Sequence, residues 1–340
     1  MKKTLIILVV AAVVVAAGVV GIKWWQLKDW AATPHGGRGR SLAVEIPRGA
    51  GPQQVSRLLE KTGVIDNAER FSFYLRRVRR AAGQIKSGEL AFRDNMTPDQ
   101  VIDVLREGTP FTYKITIPEG LRIDEVAALY ERLGMAQATR FVARCRDRGF
   151  VSSLGIPADS LEGFLFPDTY RFRKSTPLDE ILRTMVEHYK GVFVEKWRRR
   201  AVQLGMNELQ VVTLASIIEK ETGAAHERPL ISGVFHNRLR DGWKLQTDPS
   251  VIYAVLLERG HFNGNLTRDD LRIDSPYNTY RHQGLPPGPI CNPGADALRA
   301  ALWPKKTRYF FFVSRNDGTH EFCETLACHN RAVKRYQGGG

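Results

Sequence analysis

The 340-residue sequence has only four cysteines and no Cys-rich finger, Gly-Phe-rich RNA-binding motif or bZIP-like basic helix, so nucleic acid is not the expected partner. Its eight histidines are scattered. No His-Glu-x-x-His occurs and His226 to His236 lack ligand spacing, so neither a metal site nor a cofactor is expected. Ser216 has neither a Gly-x-Ser-x-Gly elbow nor a Ser-x-x-Lys pattern, which argues against a serine nucleophile. Acidic residues are in deficit: 36 Asp+Glu against 50 Lys+Arg leave a formal charge of +14, which suits nucleic acid, a phospholipid surface or an acidic polymer. The other proportions, 43% hydrophobic and 25% charged, are those of a folded chain with a sizeable core and room for about two domains.

Long hydrophobic runs are also scarce. The one present runs from Thr4 to Ile22 behind Met-Lys-Lys, about the length that crosses a ~30 Å hydrocarbon core, and Lys23, Trp24 and Trp25 close it as headgroup-level residues do. An uncleaved signal anchor over 1–25 is expected, with a cytoplasmic tip and the body outside; a signal peptide cut near Ala31-Ala32 is the alternative. The composition of 26–41 reads as a linker.

Beyond it, strand and helix alternate. Leu42 to Ile46 reads as a strand and Gly51 to Gly63 as a helix; Leu90 begins a second strand, followed by a helix with Thr97 as N-cap and Pro98 at its first position. Ile-Pro-x-Gly followed by a helix occurs twice, at Ile46 and Ile117. A long helix is expected over 67–82, its Arg76, Arg77, Arg79 and Arg80 forming a solvated basic face. Strand, turn and helix units of this kind are similar to the halves of a LysM glycan-binding module, which bounds a domain at 42–118. A larger domain then fills 119–340, so the fold class is α+β.

Within the larger domain, Asn207 to Gly223 carries the most information. Asn207 and Gln210 make a capping box and Gly223 is placed as the stop. Val211, Leu214, Ala215 and Ile218 share one face, and Glu219 projects at its edge. A carboxyl wedged into an apolar stripe loses hydration and gains affinity for its proton, as a general acid requires. The plainer reading makes Glu219 and Glu221 the solvated end of an ordinary helix.

Four aromatics surround Glu162 and Asp168 in Leu161 to Phe172, a surface suited to sugar rings or a capped hydrophobic corner. Polar residues then cluster in loops at Leu245-Gln-Thr-Asp-Pro, Tyr277-Asn-Thr-Tyr and the Pro-Gly-rich segment from Gly284. Tyr309 to Val313, Asn316-Asp-Gly and Thr319 to Cys323 read as a hairpin. Cys323 and Cys328 can pair across a short loop if their separation allows, which the sequence does not give, while Cys145 and Cys291 can equally be buried thiols.

Leu-Ala-Ser-Ile-Ile-Glu-Lys-Glu-Thr, followed in order by Leu-Gln-Thr-Asp-Pro, Tyr-Asn-Thr-Tyr, Gly-Leu-Pro-Pro-Gly-Pro-Ile and Asn-Pro-Gly, resembles the endolytic murein transglycosylase family (YceG-like, MltG). Leu-Glu-Gly-Phe-Leu-Phe-Pro-Asp-Thr-Tyr and the closing Gly-Thr-His-Glu-Phe match as well, so the likeness runs from about Leu42 to Tyr336. Cys291 departs from it, standing where a small residue is usual. The resemblance implies a lyase that cuts peptidoglycan between N-acetylmuramic acid and N-acetylglucosamine without water, leaving 1,6-anhydro ends and terminating nascent strands at the inner membrane. It places the catalytic acid on Glu219. Around it, Glu162, Glu221, Gln246, Thr247, Asp248, Tyr253, Asn278, Thr279 and Tyr280 are expected to line or brace a cleft. The partners it implies are glycan strands, the membrane and peptidoglycan synthases (penicillin-binding proteins). A glycan-binding scaffold and a hydrolytic muramidase are the competing readings.

Overall fold

The structure, a computed structural model, describes residues 2–338. Met1, the tip of the expected anchor, and Gly339 and Gly340, the end of the expected larger domain, lie outside the described residues. The fold is α+β with helices dominant. Two compact units divide the chain, Met1–Tyr113 and Lys114–Gly340.

The first unit orders α1 (Lys2–Ala32), β1 (Ser41–Ile46), α2 (Pro52–Lys61), α3 (Ala68–Phe73), β2 (Gly88–Arg93) and α4 (Pro98–Glu107). β1 and β2 pair antiparallel from Ser41 opposite Arg93 to Ile46 opposite Gly88. Val44, Ile46, Leu90 and Phe92 bury their alternate side chains against Val55, Leu59, Phe71 and Leu105. Thr97 and Gln100 form a capping box at α4.

Two expectations change in this unit. α1 runs through Ala32 as one helix instead of giving way to a linker after residue 25, because Trp30 and Ala31 are buried in the unit's own core. Even the residues after it are fastened: His35 stacks on Trp30, and the Gly39 and Arg40 N–H groups both donate to Asp94. The expected long helix over 67–82 is broken as well. α3 passes into a π-turn over Tyr74–Val78 that ends where Arg79 donates to Asp99 and Asp103, and Arg80 takes a φ of 50°. Arg79 is therefore paired, not part of a solvated face.

In the second unit the helices are α5 (Ile123–Arg132), α6 (Ala138–Cys145), α7 (Arg148–Ser153), α8 (Leu178–Val192), α9 (Glu195–Gln203), α10 (Glu208–Glu221), α11 (Arg228–Arg240), α12 (Asp248–Arg259), α13 (Ala295–Leu302) and α14 (Leu326–Tyr336). Two small sheets accompany them. β3 (Tyr113–Thr116) pairs with β4 (Thr169–Phe172), so the second Ile-Pro-x-Gly strand belongs to a different sheet from the first. β5 (Phe311–Ser314) and β6 (His320–Cys323) form the expected hairpin, turned by Asn316 and Gly318 at positive φ, and a Cys323–Cys328 disulfide ties β6 to α14. Cys145 and Cys291 are buried free thiols.

α10 is the centre of this unit. Every residue from Val211 to Ile218 is buried, so the helix is enclosed on all sides and carries no single apolar stripe. The hydroxyls this burial would strand are satisfied: Thr213 donates to the Leu209 carbonyl, while Ser216 donates to the Thr213 carbonyl and accepts from the Ile290 N–H. The capping box at Asn207 is present. At the other end Thr222 is the C-cap, and Gly223 serves a different purpose from the expected stop: a Cβ there would lie 2.6 Å from the Gly318 carbonyl oxygen of the hairpin turn.

Candidate active site

A carboxyl two residues further along a helix turns through about 200°, so Glu219 and Glu221 leave the end of α10 in opposite directions. Glu219 meets polar partners. Its side chain is 7% exposed, Arg228 Nη2 donates to one oxygen at 3.0 Å and the Gly294 N–H donates to the other at 3.0 Å. Arg228 also reaches Glu119 at 3.6 Å and Asp296 at 3.8 Å. Desolvation, and next the charge of Glu219, raise the pKa of Glu119. The expected apolar wedge around Glu219 is thus a charged cluster assembled from α10, α11, the Ile117-Pro-Glu-Gly loop and the start of α13. Neither Glu119 nor Arg228 was singled out by the sequence reading; the repeated Ile-Pro-x-Gly, with Glu at its third place only in the second copy, is the one signal that marks Glu119.

Glu221 is half-buried and, among the described residues, its carboxyl oxygens have no hydrogen-bond partner. Loss of hydration, reinforced by the nearby charge of Asp248 and opposed by Arg238, pushes its pKa up to about 8. Both polar loops converge here. Asp248, the first residue of α12, accepts from the Tyr280 hydroxyl at 2.7 Å. The Gln246 N–H donates to the Thr279 carbonyl, and the Thr247 N–H donates to the Thr279 hydroxyl. Gln246 holds a φ of 49°, a strained conformation of the kind that clusters at working sites. Asn278, fully buried, donates to the Leu271 and Ile273 carbonyls and accepts from the Tyr280 N–H. Asn278, Thr279 and Thr247 thus brace the loops, and Asp248 and Tyr280 stand near Glu221. The buried Arg238 locks the floor by donating to the Leu245 and Phe310 carbonyls.

Glu162 meets a different set of partners. It is buried, accepts from the Ile123 N–H at 3.1 Å and from the Tyr253 hydroxyl at 3.2 Å, and burial above all raises its pKa to about 8. It faces a cavity of about 380 Å³ that Tyr277, Pro287 and Pro289 also line. The Tyr253 and Tyr277 rings meet at 4.9 Å. Among the described residues no cluster of His, Cys, Asp and Glu is arranged to hold a metal ion.

The chain is similar to known proteins over most of its length. The YceG-like family model matches residues 44–335. A protein of Bacillus subtilis (strain 168) named endolytic murein transglycosylase is 32% identical over 312 residues, covering 87% of this chain and 85% of its own. One of the same name from Streptococcus pneumoniae (strain ATCC BAA-255 / R6) is 30% identical over 331 residues, and the chain spans 58% of its length. Among solved structures, a yceG-like protein from Listeria monocytogenes superposes with a TM-score of 0.59 at 34% identity, over 86% of this chain and 99% of that one. The chain belongs to the YceG-like family.

Proposed function

We propose that the protein is a membrane-anchored, endolytic lytic transglycosylase. It cuts the bond between N-acetylmuramic acid and N-acetylglucosamine within nascent peptidoglycan strands, leaves 1,6-anhydro ends and so terminates elongation. The activity in the names of the relatives supports the substrate class. The observation that carries the chemistry is the setting of Glu221: a half-buried carboxyl beside the two polar loops, with no hydrogen-bond partner among the described residues and its pKa raised by loss of hydration.

Lytic cleavage needs one proton given to the leaving glycosidic oxygen and one taken from the C6 hydroxyl as that oxygen attacks C1. Glu221 gives the first and receives the second, so it ends the cycle as it began and no water is consumed. Glu219, the residue expected for this role, has both oxygens already accepting from Arg228 and Gly294. Glu219 stands as the competing donor, since the same two groups would stabilise its carboxylate once a proton had been given. The neighbouring charge of Asp248 favours a second reading, a muramidase in which Asp248 activates water. Mass analysis of fragments from purified glycan strands separates the two. Anhydro ends, each lighter by one water, are expected; reducing ends would replace the lyase by the hydrolase, and no cleavage at all would favour a scaffold.

Among the described residues Ile6–Ala32 is long and apolar enough to cross a membrane. It would hold the rest of the chain outside the inner membrane, beside the peptidoglycan synthases. Residues 42–118 are assigned as a LysM-like glycan reader; the order β1, α2, α3, β2 with antiparallel strands supports that assignment.

A further inference from the structure

We propose that α3 and the π-turn after it form a docking surface for the phosphodiester headgroups of anionic phospholipids in the membrane that α1 crosses. The inference rests on the anchor reading of α1. Because α1 continues without a break into the core of the first unit, the position of that unit along the helix is fixed. Arg70 Nη2 donates to the Gln26 carbonyl at 3.0 Å, and its guanidinium lies 4.7 Å from the Trp30 ring centroid. Gln26 follows Ile22, where Lys23 closes the uncharged run, by about 6 Å of helix rise, and the headgroup layer on each side of the hydrocarbon is of similar depth. Arg70 is therefore held at headgroup level together with Trp24 and Trp25, which are exposed.

The surface next to Arg70 has the composition such a layer selects. Phe73, one turn on, is 50% exposed although the neighbouring Phe71, Ser72, Tyr74 and Leu75 are buried. Arg76 and Arg77 follow it, also exposed. An exposed aromatic flanked by arginines matches an interfacial helix, its ring at the acyl boundary and its cations on lipid phosphates. A second observation points to a ligand. Between α2 and α3 opens a cavity of about 550 Å³ lined by Gln53, Arg57, Glu60, Glu69, Ser72 and Arg76. The hydroxyl of Ser72 sits there without a hydrogen-bond partner in a residue that is 2% exposed. Of the carboxylates in the lining, Glu60 is occupied by the Ala68 N–H at 2.9 Å. A phosphodiester suits the guanidinium groups of Arg57 and Arg76, which bind its oxygens beside the stranded Ser72 hydroxyl, with Glu69 the other carboxylate that shares the lining.

The test uses the full-length protein reconstituted in bilayers of phosphatidylcholine alone or with phosphatidylglycerol. A nitroxide is placed at Phe73→Cys, the native thiols being buried or bridged. A label at Val13→Cys in the apolar run gives the hydrocarbon reference, and free nitroxide in buffer the aqueous one. With phosphatidylglycerol, the label at 73 should collide with oxygen several-fold more, relative to a water-soluble nickel reagent, than free nitroxide does. Exchanging Arg70, Arg76 and Arg77 together for Glu should return it to aqueous values with an unchanged circular dichroism spectrum, and Ser72→Ala should weaken the dependence on phosphatidylglycerol. An aqueous label at 73 in protein that resists carbonate extraction overturns this proposal alone; release by carbonate overturns the anchor reading and this proposal with it. If inorganic phosphate added to phosphatidylcholine bilayers reproduces the effect, the cavity is a free-phosphate site and the lipid assignment fails.

Discussion

Glu219 and Glu221 share a helix end and a side-chain type, yet they meet opposite surroundings. Glu219 is met by a guanidinium and a backbone N–H, one on each oxygen. Glu221 is met by another carboxylate's charge and has no hydrogen bond. A helical wheel gives the direction in which each points; what waits there depends on α11, on the loop at Glu119 and on the two polar loops, all distant in sequence. An under-partnered carboxyl beside two polar loops is the better placed of the two to exchange a proton.

The comparison breaks most directly on Glu221→Gln. The amide keeps the size and loses the titrating proton, so activity on glycan strands should fall on the order of 10² to 10⁴ while the far-UV spectrum is kept. In the unaltered enzyme, activity should fall as pH rises through about 8, where the acid form of Glu221 is lost. Glu219→Gln should cost much less. A larger loss from Glu219→Gln than from Glu221→Gln, read as initial rates, would return the acid to Glu219.

Next in size is a test of the wall that packs along α10. Gly163 has a φ of 87°, and a Cβ on it would lie 2.5 Å from Pro289 Cγ and 2.8 Å from Val212 Cγ1. None of these neighbours is the free end of a flexible chain. Gly163→Ala should destabilise the protein by roughly 2–4 kcal/mol, seen as a lower midpoint in chemical denaturation.

Glu219→Ala comes third. It removes the acceptor closest to a buried guanidinium, but Glu119 and Asp296 stay within 4 Å of Arg228. The loss should be about 2 kcal/mol, less than for a buried pair with no such neighbours, and Glu219→Gln should recover most of it. Equal midpoints for the alanine and glutamine variants would show that the cluster does not hold the helix end.

What could be read from the sequence follows the same line between local and distant causes. The N-cap at Thr97, the capping box at Asn207, the hairpin turn at Asn316 and the strands around Val44 and Leu90 each depend on neighbours within a few residues, and they stand where the pattern puts them. The reach of α1 to Ala32 did not show, because the tether-like composition around it says nothing of Trp30 finding a core. The π-turn was hidden for a similar reason, since Arg79 is drawn to acids on α4. For the site, the motifs point to loops that meet beside the end of α10; the cluster of Glu119, Arg228 and Gly294 required the fold.

Glu162 supplies the smallest and most selective test, since it combines the two cases: a carboxyl with good partners whose pKa is nonetheless raised to about 8, chiefly by burial. A native pKa above the unfolded value of about 4.3 means that the folded protein keeps a proton the unfolded chain releases. Stability contributed by the protonated form is therefore complete in acid, declines as pH rises from the unfolded value to about 8 and is level beyond. Glu162→Gln removes that decline without disturbing the contacts, because the amide oxygen can accept from the Ile123 N–H while its nitrogen donates to the Tyr253 hydroxyl, which can turn to accept. The variant and the unaltered protein should melt together near pH 4, and the variant should melt higher at pH 8, by at least about 2 °C. Activity should change little if the cavity at Glu162 takes no part in proton transfer. A melting difference that does not vary with pH would mean that Glu162 is held as the carboxylate by its two donors, and a loss of activity matching that of Glu221→Gln would make Glu162 the second carboxyl of a hydrolase.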